Sequence, residues 1–177
     1  VLVLGAGAMA LSVVWWARRL GAGKIVVASR SKHRAETCYD FGADAVHSFS
    51  EDDPGELHAL LGGAPHIVAE CVGKAGMLPL ALDHVGMGGT VISMGMCTKP
   101  DPILPIQQTF KEARIIFPLA YSVEQFEQTA RVFDEVGFNP ERMVSEVLPL
   151  EQLASTLDAL RAGKPALKIH IDPRMPT

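Results

Sequence analysis

The chain opens on Val1-Leu2-Val3-Leu4 and runs directly into Gly5-Ala6-Gly7-Ala8-Met9-Ala10. An apolar strand thus meets a small-residue turn and a helical pattern with no spacer between them. This junction restricts the possible folds more than any other feature. The spacing fits G-x-G-x-x-G/A. Gly5 allows the tight turn, Gly7 keeps side chains away from an approaching pyrophosphate, and Ala10 permits close helix–strand packing. Beyond Gly7, the residues Ala8 and Met9 open the helix, whose amino terminus offers N–H donors and a positive dipole end. A glycine turn alone is a weak signal, common to many folds. Between a buried strand and a helix it points to a dinucleotide site.

That alternation repeats along roughly the first 120 residues. Strand-like runs are Val1–Leu4, Ile25–Ala28, Ala45–His47, Ile67–Glu70, Thr90–Met94 and a weaker Arg114–Leu119. Helical patterns fall at Met9–Leu20, Lys32–Phe41, Gly55–Leu61 and Met77–Val85, with Ser31 as the expected cap of the second. Alternation of this kind implies right-handed crossovers and a doubly wound parallel sheet covered on both faces. The proline-containing Thr98–Ile106 stretch reads as the longest loop. After Leu119 the pattern changes: Val123, Phe126, Ala130 and Phe133 mark one helix, with Gly137 and Pro140 beyond its end. Leu150–Leu160 marks another helix, and Ala166–Ile171 a short strand. We therefore expect a nucleotide-binding domain over residues 1–120 and a helical and strand tail over 121–177.

Composition removes several function classes. Sixteen basic against twenty acidic residues give a net charge of −4, so no overall basic footprint exists for nucleic acid. No apolar run reaches the ~20 residues of a membrane helix. Three cysteines, odd in number and sparse, argue for a reducing, cytoplasmic setting and against a disulfide framework. A start without Met, inside a strand that should be buried, leads us to expect a piece of a longer protein.

The end of the second strand discriminates between cofactors. An acid there, about 20 residues past the turn, would bind the ribose hydroxyls of NAD. The chain reads Lys24-Ile-Val-Val-Ala-Ser-Arg-Ser instead. Ser29, or Ala28 with a one-residue shift, stands at the position, followed by Arg30, Ser31, Lys32 and Arg34. Without a carboxylate a 2′-phosphate meets no repulsion, and the arginines can pair with one. NADP is therefore expected over NAD, which stays possible; the plainer alternative is a solvated basic helix start.

Taken together, Val-Leu-Gly-Ala-Gly-Ala-Met, Phe41-Gly42-Ala43-Asp44, Glu70-Cys71-Val72-Gly73 and Gly88-Gly89-Thr90-Val91 resemble the zinc-type alcohol dehydrogenases of the medium-chain dehydrogenase/reductase superfamily. Phe110-Lys111-Glu112, Pro149-Leu150-Glu151 and Lys168-Ile169 extend the resemblance over essentially the whole chain. It implies a six-stranded Rossmann sheet in the order 3-2-1-4-5-6, with a tail that returns to a catalytic domain. It also implies that Cys71, Val72 and Gly73 line the crevice. Met94, Gly95 and Ile116 would lie beside the nicotinamide, and Lys168 would reach the pyrophosphate. Phe117-Pro118 departs from the Gly-Ser that many members carry there.

In the resembling family an amino-terminal domain holds the zinc and the proton relay, so zinc is expected in a missing domain ahead of Val1. Cys38, Cys71 and Cys97 lack the close spacing of a zinc site, and the six histidines form no metal pattern. No catalytic residue and no metal ligand is assigned to this chain. The leading reading is the NADP(H)-binding portion of an alcohol or polyol dehydrogenase acting on an alcohol or ketone. A zinc-free quinone or enoyl reductase of the same superfamily, and a dinucleotide-sensing module, stand as alternatives; a methyltransferase would want an acid after the second strand. The apolar Ile103-Leu104-Pro105-Ile106 edge segment is the expected seam of a homodimer.

Overall fold

In the computed structural model, which describes residues 1–48, 54–136 and 138–175, six strands form one parallel sheet. They are β1 (Leu2–Leu4), β2 (Val26–Ser29), β3 (Ala45–Ser48), β4 (Ile67–Glu70), β5 (Thr90–Ser93) and β6 (Arg114–Ile116), in the order β3-β2-β1-β4-β5-β6. This is the expected Rossmann order. It places β1 between β2 and β4, so the chain reverses direction across the sheet at the β1/β4 junction. In open sheets of this type the crevice for ligands lies at such a reversal, beyond the carboxyl ends of the strands.

Every residue of β1 and β2 is buried, which is why these runs are continuously apolar rather than alternating. On one face Leu2, Leu4, Val26, Ala28, Val68 and Val91 pack with Leu57 of α3 (Pro54–Leu61) and Ala81 and Leu82 of α4 (Met77–His84). Strand alternation sends Val3, Val27 and Ala69 to the opposite face. There α1 (Ala8–Arg19) presents Ala10, Leu11 and Val14, a buried stripe at helical spacing.

The second helix begins later than the sequence suggests. Ser31 does not cap it; a 3-10 turn at Lys32–Arg34 intervenes, and α2 spans Ala35–Asp40. The Ser31 carbonyl accepts from the Arg34 N–H at 3.0 Å, and the helix starts with no side-chain cap. The Phe41-Gly42-Ala43-Asp44 motif has a local explanation. Arg18 of α1 donates to the Gly42 carbonyl at 2.9 Å and pairs with Asp44 at 2.7 Å, while Asp44 accepts the Ile25 N–H. Burial alone would push the Asp44 carboxyl up. The Ile25 N–H and Arg18 outweigh it and hold the group below its ordinary value.

The proline-containing loop is shorter than expected. Its last residues enter α5 (Pro105–Lys111), with Pro105 at the favoured first position. Asp101 fixes the loop by accepting from the N–H groups of Gly76 and Leu78 at the start of α4. Lys111 donates to the carbonyls of Leu82 and Asp83 at 2.7 and 2.6 Å, capping the other end of α4. Phe110-Lys111-Glu112 thus serves as a helix-end clasp, with Glu112 in the left-handed conformation that stops α5.

The chain divides into two units, Val1–Leu119 and Ala120–Thr177. In the second, α6 (Val123–Val136) precedes β7 (Glu146–Leu148), α7 (Leu153–Arg161) and β8 (Ile169–Ile171). Gly137, expected just past α6, lies outside the described residues. The seventh strand went unforeseen, being only three residues long. It pairs in parallel with β8, and Lys164 bonds Glu146 beside the pair at 2.7 Å. Leu150–Leu160 resolves into a 3-10 turn at Leu150–Gln152 and then α7. No helix among the described residues is long and apolar enough to cross a membrane.

Candidate dinucleotide site

Gly5 takes φ +108, a conformation that side chains resist, and a Cβ there would stand 3.2 Å from Val72 Cγ2. The glycine turn therefore lies directly against the turn after β4. Gly7 is the N-cap residue of α1 and supplies no side-chain cap. A Cβ on it would meet no protein atom within 4 Å. The space in front of Gly7 is thus open for a ligand rather than filled by the fold. The first-turn N–H groups of α1, at Ala8, Met9 and Ala10, have no carbonyl one turn back to bond. They suit an anion.

A cleft of about 420 Å³ opens at this point. Of the residues singled out from the sequence, Gly5, Gly7, Ser29, Arg30, Cys71 and Val72 line it. Lys74, Ala75 and Met77 line it too and were not anticipated. Ser29 ends β2 and is buried; its Oγ accepts the Ser31 N–H at 3.1 Å, and Arg30 beside it is exposed. Arg34, expected as a phosphate contact, is not among the described residues that line the cleft. Its guanidinium donates to the Ala6 carbonyl at 3.1 Å, tying the start of the second crossover to the glycine turn.

The residues expected on the nicotinamide side are distributed less tightly. Gly73 and Gly95 meet: a Cβ on Gly95 would lie 2.2 Å from the Gly73 N and 2.5 Å from Glu70 Oε2. Gly73 itself takes φ +70, with Met96 N at 2.7 Å from its Cβ position. Ile116 ends β6 and is half exposed. Met94 lines a second, larger cavity of about 860 Å³, an apolar hollow bordered by Trp16, Leu20, Pro65 and Ile67. That cavity opens mainly where β1, β2 and β4 begin, the wrong end of the strands for a dinucleotide. Lys168 belongs to the second unit, where its carbonyl accepts the Ser145 N–H at 2.7 Å.

Cys38, Cys71 and Cys97 are free thiols, and burial raises the pKa of the first two. Burial pushes Cys38 up to about 11, partly opposed by Arg34. Burial, with the Glu70 carboxylate, pushes Cys71 up to about 12. Among the described residues no three His, Cys, Asp or Glu side chains are grouped to hold a metal ion.

Residues 8–135 match the zinc-binding dehydrogenase family. The chain is 25% identical over 183 residues to D-xylulose reductase of Scheffersomyces stipitis, covering 97% of this chain and 50% of that protein. Among solved structures it superimposes on an alcohol dehydrogenase from Escherichia coli CFT073 complexed with NADH. That match has a TM-score of 0.82 and 22% identity, over 95% of this chain and 50% of the other. A Sinorhizobium meliloti 1021 protein described as a zinc-binding dehydrogenase, bound to NADP, gives a TM-score of 0.83. Identity there is 22%, over 97% of this chain and 52% of the other. The chain spans about half the length of the relatives it matches. The Rossmann order, the glycine turn facing an open cleft and the family match over most of the first unit make this chain a member of the zinc-binding dehydrogenase family.

Proposed function

We propose that this chain is the NADP(H)-binding portion of a zinc-dependent alcohol or polyol dehydrogenase. One observation carries the reading. The cleft over Gly5 and Gly7 is bounded at its β2 end by Ser29 and Arg30, with no carboxylate among the described residues that line it. When bound, a nicotinamide dinucleotide supplies the hydride acceptor or donor. This chain's part is to hold it. The first turn of α1 bonds the pyrophosphate, Arg30 pairs with a 2′-phosphate, and the turn at 71–73 lines the crevice between β1 and β4. A metal that would polarise the substrate oxygen, and the opposite wall of the crevice, would have to come from outside these 177 residues.

The chain should therefore bind NADP(H) and turn nothing over. Hydride transfer needs a substrate held about 3–3.5 Å from the nicotinamide and a group to stabilise the developing charge. Turnover is measured with alcohols, diols and ketones, with and without added zinc. Zinc-dependent oxidation by these 177 residues would place the chemistry here and overturn the division of labour. In the second unit, Leu150, Leu153 and Leu157 are each more than a third exposed, as a surface that packs on the remainder of the protein would be.

Assembly belongs to the same reading. Leu104 (55% exposed), Ile106 (53%) and Phe110 (74%) present apolar side chains around α5 beyond the edge of the sheet. Ile103 instead packs partly against the core, so it is not the residue to test. A two-fold dimer through this segment is expected, with Ile106→Lys shifting the light-scattering mass to the monomer. A wild-type monomer at tens of micromolar would refute the seam.

A further inference from the structure

Glu70 is the only buried carboxylate among the described residues, 2% exposed, at the carboxyl end of β4. An ion removed from water is costly unless hydrogen bonds replace its hydration. Here they do. Oε1 accepts the N–H of Val72 at 2.6 Å and of Gly73 at 2.8 Å. The backbone carbonyl of the same residue accepts the N–H of Met94 at 2.8 Å and of Gly95 at 3.0 Å. One residue therefore binds both the turn after β4 and the end of β5, and the first of these lies against Gly5.

The surrounding glycines show how tightly this is built. No Cβ fits at Gly95, because Glu70 Oε2 and the Gly73 backbone occupy its place. Backbone thus meets backbone where the 71–73 turn crosses Gly95 and Met96. The turn's two N–H bonds to the carboxylate are of the strong, charge-assisted kind.

We propose that Glu70 is a positioning residue for the dinucleotide: its carboxylate holds turn 71–73 in the shape that receives the cofactor before the cofactor arrives. This rests on the function proposed above. An aspartate is one methylene too short to reach both N–H groups, whereas a glutamine keeps an acceptor oxygen at full reach. The test is NADPH titration by fluorescence on the wild-type chain and on Glu70→Asp, Glu70→Ala and Glu70→Gln. Circular dichroism confirms folding, and hydrogen exchange follows the amides of Val72 and Gly73.

Glu70→Asp and Glu70→Ala should weaken binding by about tenfold or more, with faster exchange at both amides. Glu70→Gln should stay within about threefold of wild type, since a neutral acceptor keeps roughly half the strength of a charged one. If Glu70→Ala does not fold, the Asp and Gln variants carry the comparison. Wild-type affinity in Glu70→Asp, or a Glu70→Gln variant no better than Glu70→Asp, would overturn the role. A wild-type chain that binds neither NADPH nor NADH would instead refute the proposed function. Binding by wild type with unaffected variants refutes Glu70 alone.

Discussion

Gly95→Ala should leave a chain that is destabilised and no longer holds a dinucleotide. The new methyl group would fall 2.2 Å from the Gly73 N and 2.5 Å from Glu70 Oε2, both anchored rather than free to swing aside. Overpacking of this severity costs about 3 kcal/mol. For a chain of this size that lowers the thermal midpoint by roughly 10 °C. Relief can come only by parting the ends of β4 and β5, which pushes turn 71–73 into the crevice. The affinity for NADPH should then fall by more than tenfold. Differential scanning fluorimetry and cofactor titration check the two halves separately. A Gly95→Ala chain with wild-type midpoint and affinity would show that the contact is not held in solution.

Ser29→Asp should reverse cofactor preference. The wild-type chain should favour NADPH by about tenfold or more, since one charge-assisted contact from Arg30 contributes ~1.5–3 kcal/mol. The Ser31 N–H already points at the Ser29 Oγ, so an introduced carboxylate finds a donor waiting and a ribose hydroxyl to accept from. It also repels the 2′-phosphate. The swing between the two cofactors should reach about a hundredfold. Arg30→Ala should lose NADPH affinity and leave NADH unchanged. Calorimetry with both cofactors decides the matter. Equal or tighter NADH binding by the wild-type chain would sink the assignment.

Much of the first unit was legible because its signals are local or one-dimensional. Fully buried strands such as β2 show as unbroken apolar runs, and the glycine turn must follow its strand at once. The sheet order came from family resemblance rather than from any run of residues. Ser31 has the right chemistry for a cap, yet the 3-10 turn moves the helix start past it. The three-residue β7 carries too few side chains for any period to show, and it exists because β8 pairs with it from more than 20 residues away.

The candidate site divides the same way. Gly5, Gly7, Ser29 and Arg30 follow from what a phosphate or a ribose demands of the backbone nearby. Glu70 was visible only as an acid ending an apolar strand. Nothing in its neighbourhood along the chain says that its backbone carbonyl reaches the end of β5. That depends on parallel pairing of two strands separated by a whole helix.

The bond from Arg34 to the Ala6 carbonyl has a bearing on redesign. On the proposed reading, it joins the part of the cleft that would tell one dinucleotide from the other to the part that would grip what both share. Cofactor specificity and cofactor affinity would then not be separable modules in this protein. Any reshaping of the loop after β2 that draws Arg34 away, even toward a new phosphate contact, also releases the segment that shapes the pyrophosphate cradle. A specificity change made here has to leave that arginine where it is, or supply another anchor for Ala6.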